Sequence, residues 1–295
     1  MAMSFEMVTD SCCNLKEEVI DEYKLHVLPM TFMADGEDIV YQSYLKGQKT
    51  DLKQFYTMMR EGKVFKTSLP NVAETEKLFR ELLDAGRDVL YLGFSSGLSS
   101  TFEAVDGLAR ELAVEYPQRK IFCVDTLAAS GGEGLLVWHA CQLVAAGKDI
   151  ETVRDWVESN KLKLAHWFTV DDLMFLWRGG RVSKTSAWAG TLLNIKPVLH
   201  VDDEGHLIPM EKVRGRKKSL LALIDHMVAT ADMPVSDQMI FITHGDCVDE
   251  ANWLAEKIKN ELGVKKIMIN YIDPVIGAHS GPGTMAVYFL ASSRD

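Results

Sequence analysis

The stretch that decides the fold runs Val89-Leu90-Tyr91-Leu92-Gly93-Phe94-Ser95-Ser96-Gly97-Leu98-Ser99-Ser100-Thr101-Phe102. Its apolar start predicts a buried β-strand, and the apolar residues at three- and four-residue spacings after Thr101 predict a helix. Four serines and a glycine lie between them. Backbone N–H groups at a helix N-terminus have no partner within the helix, and the helix dipole favours negative charge there. The stretch therefore predicts a site for an anion, or for an oxygen that becomes one.

Similar polar junctions follow other predicted elements in the N-terminal half. Asp10-Ser11 follows a strand that starts at Phe5, Asp125-Thr126 follows the strand Lys120–Val124, and Thr67-Ser68 lies in a predicted loop. Strands that alternate with helices predict a mainly parallel sheet covered on both faces. Ligands of such sheets bind at the carboxyl ends of the strands. We therefore expect these polar groups to meet at one edge of the sheet.

The pattern changes near residue 165. Two apolar segments, Lys196–Val201 and His206–Val213, flank a turn and predict an antiparallel hairpin, and a β-α-β unit follows. We predict an α/β protein of two domains. Residues 1–165 form a Rossmann-like α/β/α domain with a mainly parallel sheet, and residues 166–295 form an α/β domain with a mixed sheet.

Local patterns predict further details. Val27 to Met33 is predicted as one strand that pairs across the turn Ala34-Asp35-Gly36 with a second strand. The glycine-rich segment Gly277–Gly283 is predicted as a loop. The predicted helix N-caps are Asp10-Ser11 (for a helix from Leu15 to Tyr23), Asp51 and Asn71.

Composition limits the class of ligand. The 295 residues carry a net charge of −10, which argues against a nucleic-acid binder. We find no signal peptide and no apolar run long enough to span a membrane, so we expect a cytoplasmic protein without stable membrane insertion. The five cysteines form no C-x-x-C pair, and their odd number and scatter suggest reduced thiols. The adjacent Cys12 and Cys13 are interpreted as small fillers of a tight turn. We expect a monomer.

One interpretation of the chemistry is a serine hydrolase. The sequence Gly93-Phe94-Ser95-Ser96-Gly97 fits the G-x-S-x-G pattern of a nucleophile elbow between a strand and a helix. Asp273 and His279 follow in the chain order Ser…Asp…His. The alternative is that these serines only satisfy a helix N-terminus.

A second interpretation is nucleotide, phosphate or metal chemistry. No phosphate-binding glycine motif follows a strand, although Gly179-Gly180 between Arg178 and Arg181 could hold an anion. The histidines show no H-x-x-x-H spacing, so we predict no metal site.

A third interpretation is a binding protein for an amphiphile. The hydroxyls of Thr67, Ser96 and Ser99 would then receive a carboxylate, and the apolar tail would lie among helices. No hydroxyl would need activation by a base. From the residues alone, all three interpretations remain open.

Several short motifs stand in order along nearly the whole chain: Val8-Thr9-Asp10-Ser11, Thr67-Ser68-Leu69-Pro70, Ser95–Phe102, Val124-Asp125-Thr126, Arg178–Ser183, Asn194–Leu199 and Gly277–Gly283. Together they resemble the motifs of the DegV family of bacterial fatty-acid-binding proteins. Two departures from the family pattern are Ser100, where the family usually has glycine, and the run Cys12-Cys13-Asn14.

The resemblance implies that a long-chain fatty acid lies buried between two α/β domains, with no cofactor, metal or catalytic residue. It also implies a carrier that presents the fatty acid to a separate fatty acid kinase, whose acyl-phosphate product feeds phospholipid synthesis. The implied carboxylate-binding residues are Thr67, Ser68, Ser96, Ser99 and His279, and Arg178 and Arg181 are possible contacts to the head group or to the partner.

Overall fold

The computed structural model describes residues 5–48, 50–183, 194–232 and 234–294. The strands are β1 (Phe5–Asp10), β2 (His26–Leu28), β3 (Thr31–Ala34), β4 (Val40–Gln42), β5 (Phe65–Ser68), β6 (Asp88–Gly93), β7 (Ile121–Asp125), β8 (Leu164–Thr169), β9 (Ile195–Val201), β10 (Leu207–Arg214), β11 (Met239–His244), β12 (Lys266–Tyr271) and β13 (Met285–Leu290). The α-helices are α1 (Glu17–Tyr23), α2 (Leu52–Arg60), α3 (Val72–Asp84), α4 (Thr101–Glu115), α5 (Gly131–Ala145), α6 (Ile150–Asn160), α7 (Met174–Arg178), α8 (Arg216–Thr230), α9 (Val248–Leu262) and α10 (Pro274–Ser280).

The N-terminal half contains the predicted parallel sheet. Its strand order is β2-β1-β6-β7, and every neighbouring pair is parallel. Helices α3 and α4 pack on one face and α5 and α6 on the other. Residues Val89–Leu92 are fully buried, as expected for a strand covered on both faces. Helix α4 begins at Thr101, as predicted.

The C-terminal half contains a six-stranded mixed sheet. Its order is β10-β9-β8-β13-β11-β12, and only β11 and β12 are parallel neighbours. The predicted hairpin is β9 and β10, in which Val201 pairs with Leu207. Helices α8 and α9 cover one face of this sheet. The predicted α/β class, with one parallel and one mixed sheet, is confirmed.

Helix α5 packs between the two large sheets. It contacts β6 of the parallel sheet and β8, β11 and β13 of the mixed sheet, which explains why its first seven residues are all buried. A Cβ on Gly134 would overlap the carbonyl oxygen of Cys13, so glycine allows the close approach. Strand β8 starts just before the predicted domain boundary, and the division into residues 1–165 and 166–295 stays a prediction.

The segment predicted as one strand from Val27 to Met33 is divided. Strand β2 joins the parallel sheet, and β3 joins a three-stranded antiparallel sheet of order β4-β3-β5. The break falls at Pro29-Met30, because proline has no N–H to continue a ladder. The hairpin across Ala34–Gly36 is confirmed, with Phe32 opposite Tyr41.

The prediction of a loop at Thr67-Ser68 was wrong. Both residues end strand β5, where β3 supplies backbone partners, and Phe32 lies opposite Thr67. The prediction of a loop at Gly277–Gly283 was also partly wrong, because helix α10 runs to Ser280. Asp273 caps this helix by accepting hydrogen bonds from the N–H groups of its first turn, and Pro274 has a φ angle suited to a helix start.

Two of the three predicted helix caps are confirmed. Asp51 accepts a hydrogen bond from the Gln54 N–H at 2.9 Å, and Asn71 accepts one from the Glu74 N–H at 3.2 Å. Asp10 instead caps a single 3-10 turn, and helix α1 begins only at Glu17. A turn of this kind satisfies the N–H groups after β1 without starting a helix.

Candidate functional site

A cavity of about 380 Å³ lies next to the polar turn after β6. Its walls come from β5, α10, the β6–α4 turn and the strands β8, β9 and β13. This volume lies in the range of small-molecule pockets. Its apolar lining residues are Met30, Leu69, Phe94, Leu98, Ala129, Phe168, Leu176, Val201, Leu207, Ile272, Val275, Ile276 and Ala286.

Polar side chains cluster where β5 approaches α10. The Thr67 Oγ1 and His279 Nε2 atoms are 2.8 Å apart, a hydrogen bond whose donor depends on the imidazole tautomer. Burial, followed by the nearby Arg181 charge, lowers the pKa of His279 to about 4. His279 is therefore a neutral imidazole at pH 7, able to donate at one nitrogen and accept at the other.

The turn before α4 adds two serines to this end. The Ser99 Oγ atom lies 2.9 Å from Thr101 Oγ1 and accepts a hydrogen bond from the Thr101 N–H at 3.3 Å. Ser100 is the N-cap residue, but its side chain makes no capping hydrogen bond. Both serines line the cavity. The start of a helix and two hydroxyls therefore face the same space.

Arg181 supplies positive charge. Its Nε donates to the Leu98 carbonyl at 3.2 Å, and its second donor group binds the Gly179 carbonyl, so the half-buried side chain is held beside the serine turn. Arg181 is the only lysine or arginine among the described residues that line the cavity. Arg178 lies outside this lining, since its exposed guanidinium stacks on the Phe175 ring at 4.6 Å.

The predicted carboxylate-binding residues do not all reach the cavity. Thr67, Ser68, Ser99 and His279 line it. Ser96 is not among the lining residues, and its N–H donates to the Asp125 carboxylate at 3.2 Å. The serines of this turn therefore divide between the cavity and the sheet edge.

Sequence reasoning missed several polar lining residues, among them Ser280 and His166. Ser280 is 5% exposed, and its hydroxyl has no hydrogen-bond partner among the described residues. Its position next to His279 in the quoted Gly277–Gly283 motif was an available signal. His166 also lines the cavity, and it was detectable as a lone polar residue in the apolar strand β8.

The residues of the hydrolase interpretation do not assemble. Ser95 is fully buried, and its hydroxyl donates to the Gly205 carbonyl at 2.9 Å while accepting from the Gly97 N–H at 3.2 Å. Asp273 is occupied as the cap of α10, and His279 binds Thr67. A catalytic triad needs hydrogen bonds between its members. The structure therefore overturns the Ser95–Asp273–His279 assignment.

We expect no covalent labelling of Ser95 by a serine-directed fluorophosphonate, because its hydroxyl is buried and bonded to a carbonyl rather than to a base. Intact-protein mass spectrometry after incubation provides the measurement, with a known serine esterase as the positive control. A stoichiometric adduct that maps to Ser95 would contradict this geometry.

His279 should also make stability depend on pH. Its folded pKa of about 4 lies below the ordinary value of 6.5, so the unfolded chain binds the proton more readily. The contribution to stability is complete above pH 6.5 and is lost as the pH falls towards 4. Replacing His279 with glutamine should reduce the loss of unfolding free energy between pH 7 and 4.5 by on the order of 2 kcal/mol.

Denaturant unfolding at several pH values measures this effect. His139→Gln is the positive control, because burial also lowers the pKa of His139 to about 4. A His279→Gln variant that keeps the full wild-type pH dependence would rule out a neutral, buried imidazole at this position.

The adjacent cysteines Cys12 and Cys13 lie beside the site, and neither carries a reactive thiolate. Cys12 and Cys13 are buried in the turn after β1, and burial raises the pKa of each thiol well above its ordinary value. The Cys12 sulfur lies 3.2 Å from the sulfur of Met30, a cavity-lining residue. High pKa values keep these thiols protonated, which agrees with a packing role.

The described part of the chain holds neither a metal-binding cluster nor a membrane-spanning helix. Across residues 5–48, 50–183, 194–232 and 234–294, no group of three or more His, Cys, Asp or Glu residues could hold a metal ion. Helices in these ranges are too short or too polar to cross a bilayer.

The fold and cavity define a class: an α/β protein with two large sheets and one small sheet, which encloses a largely apolar pocket with a polar, positively charged end. The model of the DegV family, described as uncharacterised proteins, matches residues 4–292, and the chain belongs to this family. A DegV domain-containing protein of Clostridium perfringens is 42% identical over 291 residues, covering 99% of each chain.

Two solved structures extend the comparison. A DegV family protein from Thermus thermophilus, described as binding fatty acid, has a TM-score of 0.86 at 30% identity, covering 98% of this chain and 100% of the other. A fatty-acid-binding DegV family protein from Streptococcus agalactiae has a TM-score of 0.82 at 30% identity, covering 99% and 100%.

Proposed function

We propose that this protein binds a long-chain fatty acid in the cavity and performs no chemistry on it. The observation that carries the proposal is the asymmetry of the cavity. Its walls are mostly apolar, while Thr67, Ser99, His279 and Arg181 lie together at one end. Among the described lining residues, Arg181 is the only arginine. The similar proteins described as binding fatty acids support the same conclusion.

The polar end suits a carboxylate. In the part of the chain that the structure describes, Arg181 donates to the carbonyls of Leu98 and Gly179 and forms no ion pair with a carboxylate. Hydrogen bonds to a charged group are stronger than those between neutral groups. A neighbouring cation also keeps a bound carboxyl group ionised, because it lowers the pKa of that group. The Thr67 hydroxyl and the neutral His279 ring then fix its orientation.

The apolar part of the cavity suits the acyl chain. Each buried methylene contributes about 0.8 kcal/mol, so ~14 of them contribute on the order of 11 kcal/mol as an upper bound. The tail therefore supplies most of the affinity, and the polar end determines which way the ligand lies.

Mass spectrometry of the organic extract from the denatured, purified protein tests the proposal. We expect a stoichiometric long-chain acid, either as purified or after incubation with palmitic acid. Absence of any such acid under both conditions would contradict fatty-acid binding.

Ser99→Ala should weaken palmitic acid binding roughly ten-fold to a hundred-fold, because it removes one hydrogen bond to a charged group. Ser96→Ala is the matched control, since this serine lies in the same turn but outside the cavity lining. Displacement of a fluorescent fatty acid measures both affinities. Equal affinities in the two variants would contradict a carboxylate contact at Ser99.

We also propose the role implied by the family resemblance: a monomeric cytoplasmic carrier that presents its fatty acid to a separate fatty acid kinase. Exposure of Ser68 and Ser100 at the polar end supports access by a partner. Residues 1–165 would provide the carboxylate-binding loops and residues 166–295 would complete the lipid tunnel. Acyl-phosphate formation by a purified kinase, trapped with hydroxylamine, should require the loaded carrier.

A further inference from the structure

The cavity has a second polar position, away from the serine turn. Strand β13 follows α10, and the Thr284 hydroxyl donates to the Ser280 carbonyl at the end of that helix. Tyr288 lies four residues further and pairs with His166 on β8. At about 3.3 Å per residue, Tyr288 and its partner His166 lie roughly 13 Å along the sheet from Thr284. Both Tyr288 and His166 line the cavity.

His166 has unused hydrogen-bonding capacity. It is 1% exposed, and neither ring nitrogen has a hydrogen-bond partner of acceptable geometry among the described residues. The Leu164 backbone lies beside the ring and raises its pKa, against the larger effects of burial, Arg294 and His200. Burial lowers the pKa of His166 well below its ordinary value, so the ring is neutral. A neutral imidazole carries one donor and one acceptor, and leaving them unpaired in a protein interior is costly.

The hydroxyl groups beside Tyr288 are already paired with one another. Ser130 donates to the Asn14 side-chain oxygen at 2.7 Å, so its 3.0 Å hydrogen bond with Thr243 has Thr243 as the donor. Tyr288 then donates to Thr243 at 3.0 Å. The Tyr288 ring meets the His166 ring edge to face at 5.5 Å. These hydroxyl groups therefore donate their hydrogen bonds elsewhere. The His166 Nε2 atom lies close to Gly132 of α5, and Arg294 and His200 act on the ring electrostatically. The cavity, which His166 lines, is a further side from which a partner can come.

We propose that the cavity selects a fatty acid that carries a hydroxyl or keto oxygen in the middle of its chain, and that His166 hydrogen-bonds this oxygen. The inference rests on the proposed fatty-acid binding and adds a substrate class to it. A hydroxyl can both donate and accept, so it matches the two functions of a neutral imidazole. A plain acyl chain would cover the ring and leave both nitrogens unpaired. A buried polar group that the wrong ligand leaves unpaired discriminates between ligands more strongly than contact with one extra methylene does.

Competition binding to the delipidated wild-type protein tests this proposal. Stearic acid, 3-hydroxystearic acid, 10-hydroxystearic acid and 12-hydroxystearic acid each displace the same fluorescent fatty acid. We expect a mid-chain hydroxy acid to bind roughly ten-fold more tightly than stearic acid. The 3-hydroxy acid, whose hydroxyl lies near the carboxylate, should show no such advantage. Equal affinities for the whole series would overturn the proposal and would indicate that an ordered water binds His166 instead.

The His166→Phe variant provides a second test, in which its affinity for the mid-chain hydroxy acid is compared with its affinity for stearic acid. Phenylalanine keeps an aromatic ring but removes both nitrogens, so the preference for the mid-chain hydroxy acid should disappear. Persistence of the preference would overturn the role of His166, and His166→Leu replaces this variant if it does not fold. Stearic acid binding without a hydroxy preference would overturn this inference alone. Absence of binding by every acid would overturn the proposed function as well.

Discussion

Replacing Arg181 with leucine is expected to lower the affinity for palmitic acid about a hundred-fold, with little loss of folding stability. A bound carboxylate would lose its only cationic neighbour in the described cavity lining, and an unpaired buried charge is costly. The half-buried position of Arg181 makes the effect smaller than for a fully buried pair. Displacement of a fluorescent fatty acid measures the affinity, and circular dichroism checks the fold.

Arg178→Leu is the matched control. This arginine lies three residues earlier, is exposed and stacks on Phe175 outside the cavity lining. Its replacement should change the affinity by less than about two-fold, as for a surface charge. Arg181→Lys should recover part of the affinity, because it restores the charge but not the planar donor group. An equal loss in Arg178→Leu and Arg181→Leu would contradict a specific carboxylate contact.

Replacing Gly134 with alanine is expected to destabilise the protein by about 3 kcal/mol. The added methyl group would overlap the carbonyl oxygen of Cys13, which is backbone and cannot rotate away. Helix α5 would have to move from the turn after β1, although it packs against both large sheets. The melting temperature should fall by roughly 5 °C or more.

Gly107→Ala is the matched control, because it makes the same change in helix α4, which precedes α5 in the chain. A Cβ at Gly107 would meet nothing within 4 Å. Alanine should therefore stabilise the exposed helix position by about 0.5–1 kcal/mol. If the close approach at Gly134 is correct, thermal unfolding should show a lower stability for Gly134→Ala and a higher stability for Gly107→Ala. A stabilised Gly134→Ala protein would contradict the packing of α5 against the Cys13 turn.

Much of the fold could be predicted from local patterns. The strand before Gly93, the helix from Thr101 and the caps at Asp51 and Asn71 all follow from residues close together in the chain. Periodicity and capping depend on such neighbours, so a single sequence contains the necessary information. One error arose where a distant segment decides: β3 supplies the partner that makes Thr67 part of a strand.

The candidate site was harder to predict because its members come from distant parts of the chain. Thr67 and His279 are 212 residues apart in sequence, yet their side chains form one hydrogen bond. Arg178 and Arg181 belong to the same short motif, but only Arg181 lines the cavity. Spacing alone does not say which side chain points inwards after a helix ends.

The stretch from Val89 to Phe102 illustrates the division. Its sequence determined a buried strand, a polar turn and a helix start, because apolar periodicity and the backbone needs of a helix N-terminus act locally. Tertiary structure alone decided the use of each hydroxyl. The Gly205 carbonyl, in the distant β9–β10 hairpin, accepts a hydrogen bond from the Ser95 hydroxyl, while Ser99 remains at the cavity. A buried hydroxyl binds whichever partner packing brings within reach, and that partner is set by the assembly of the whole chain.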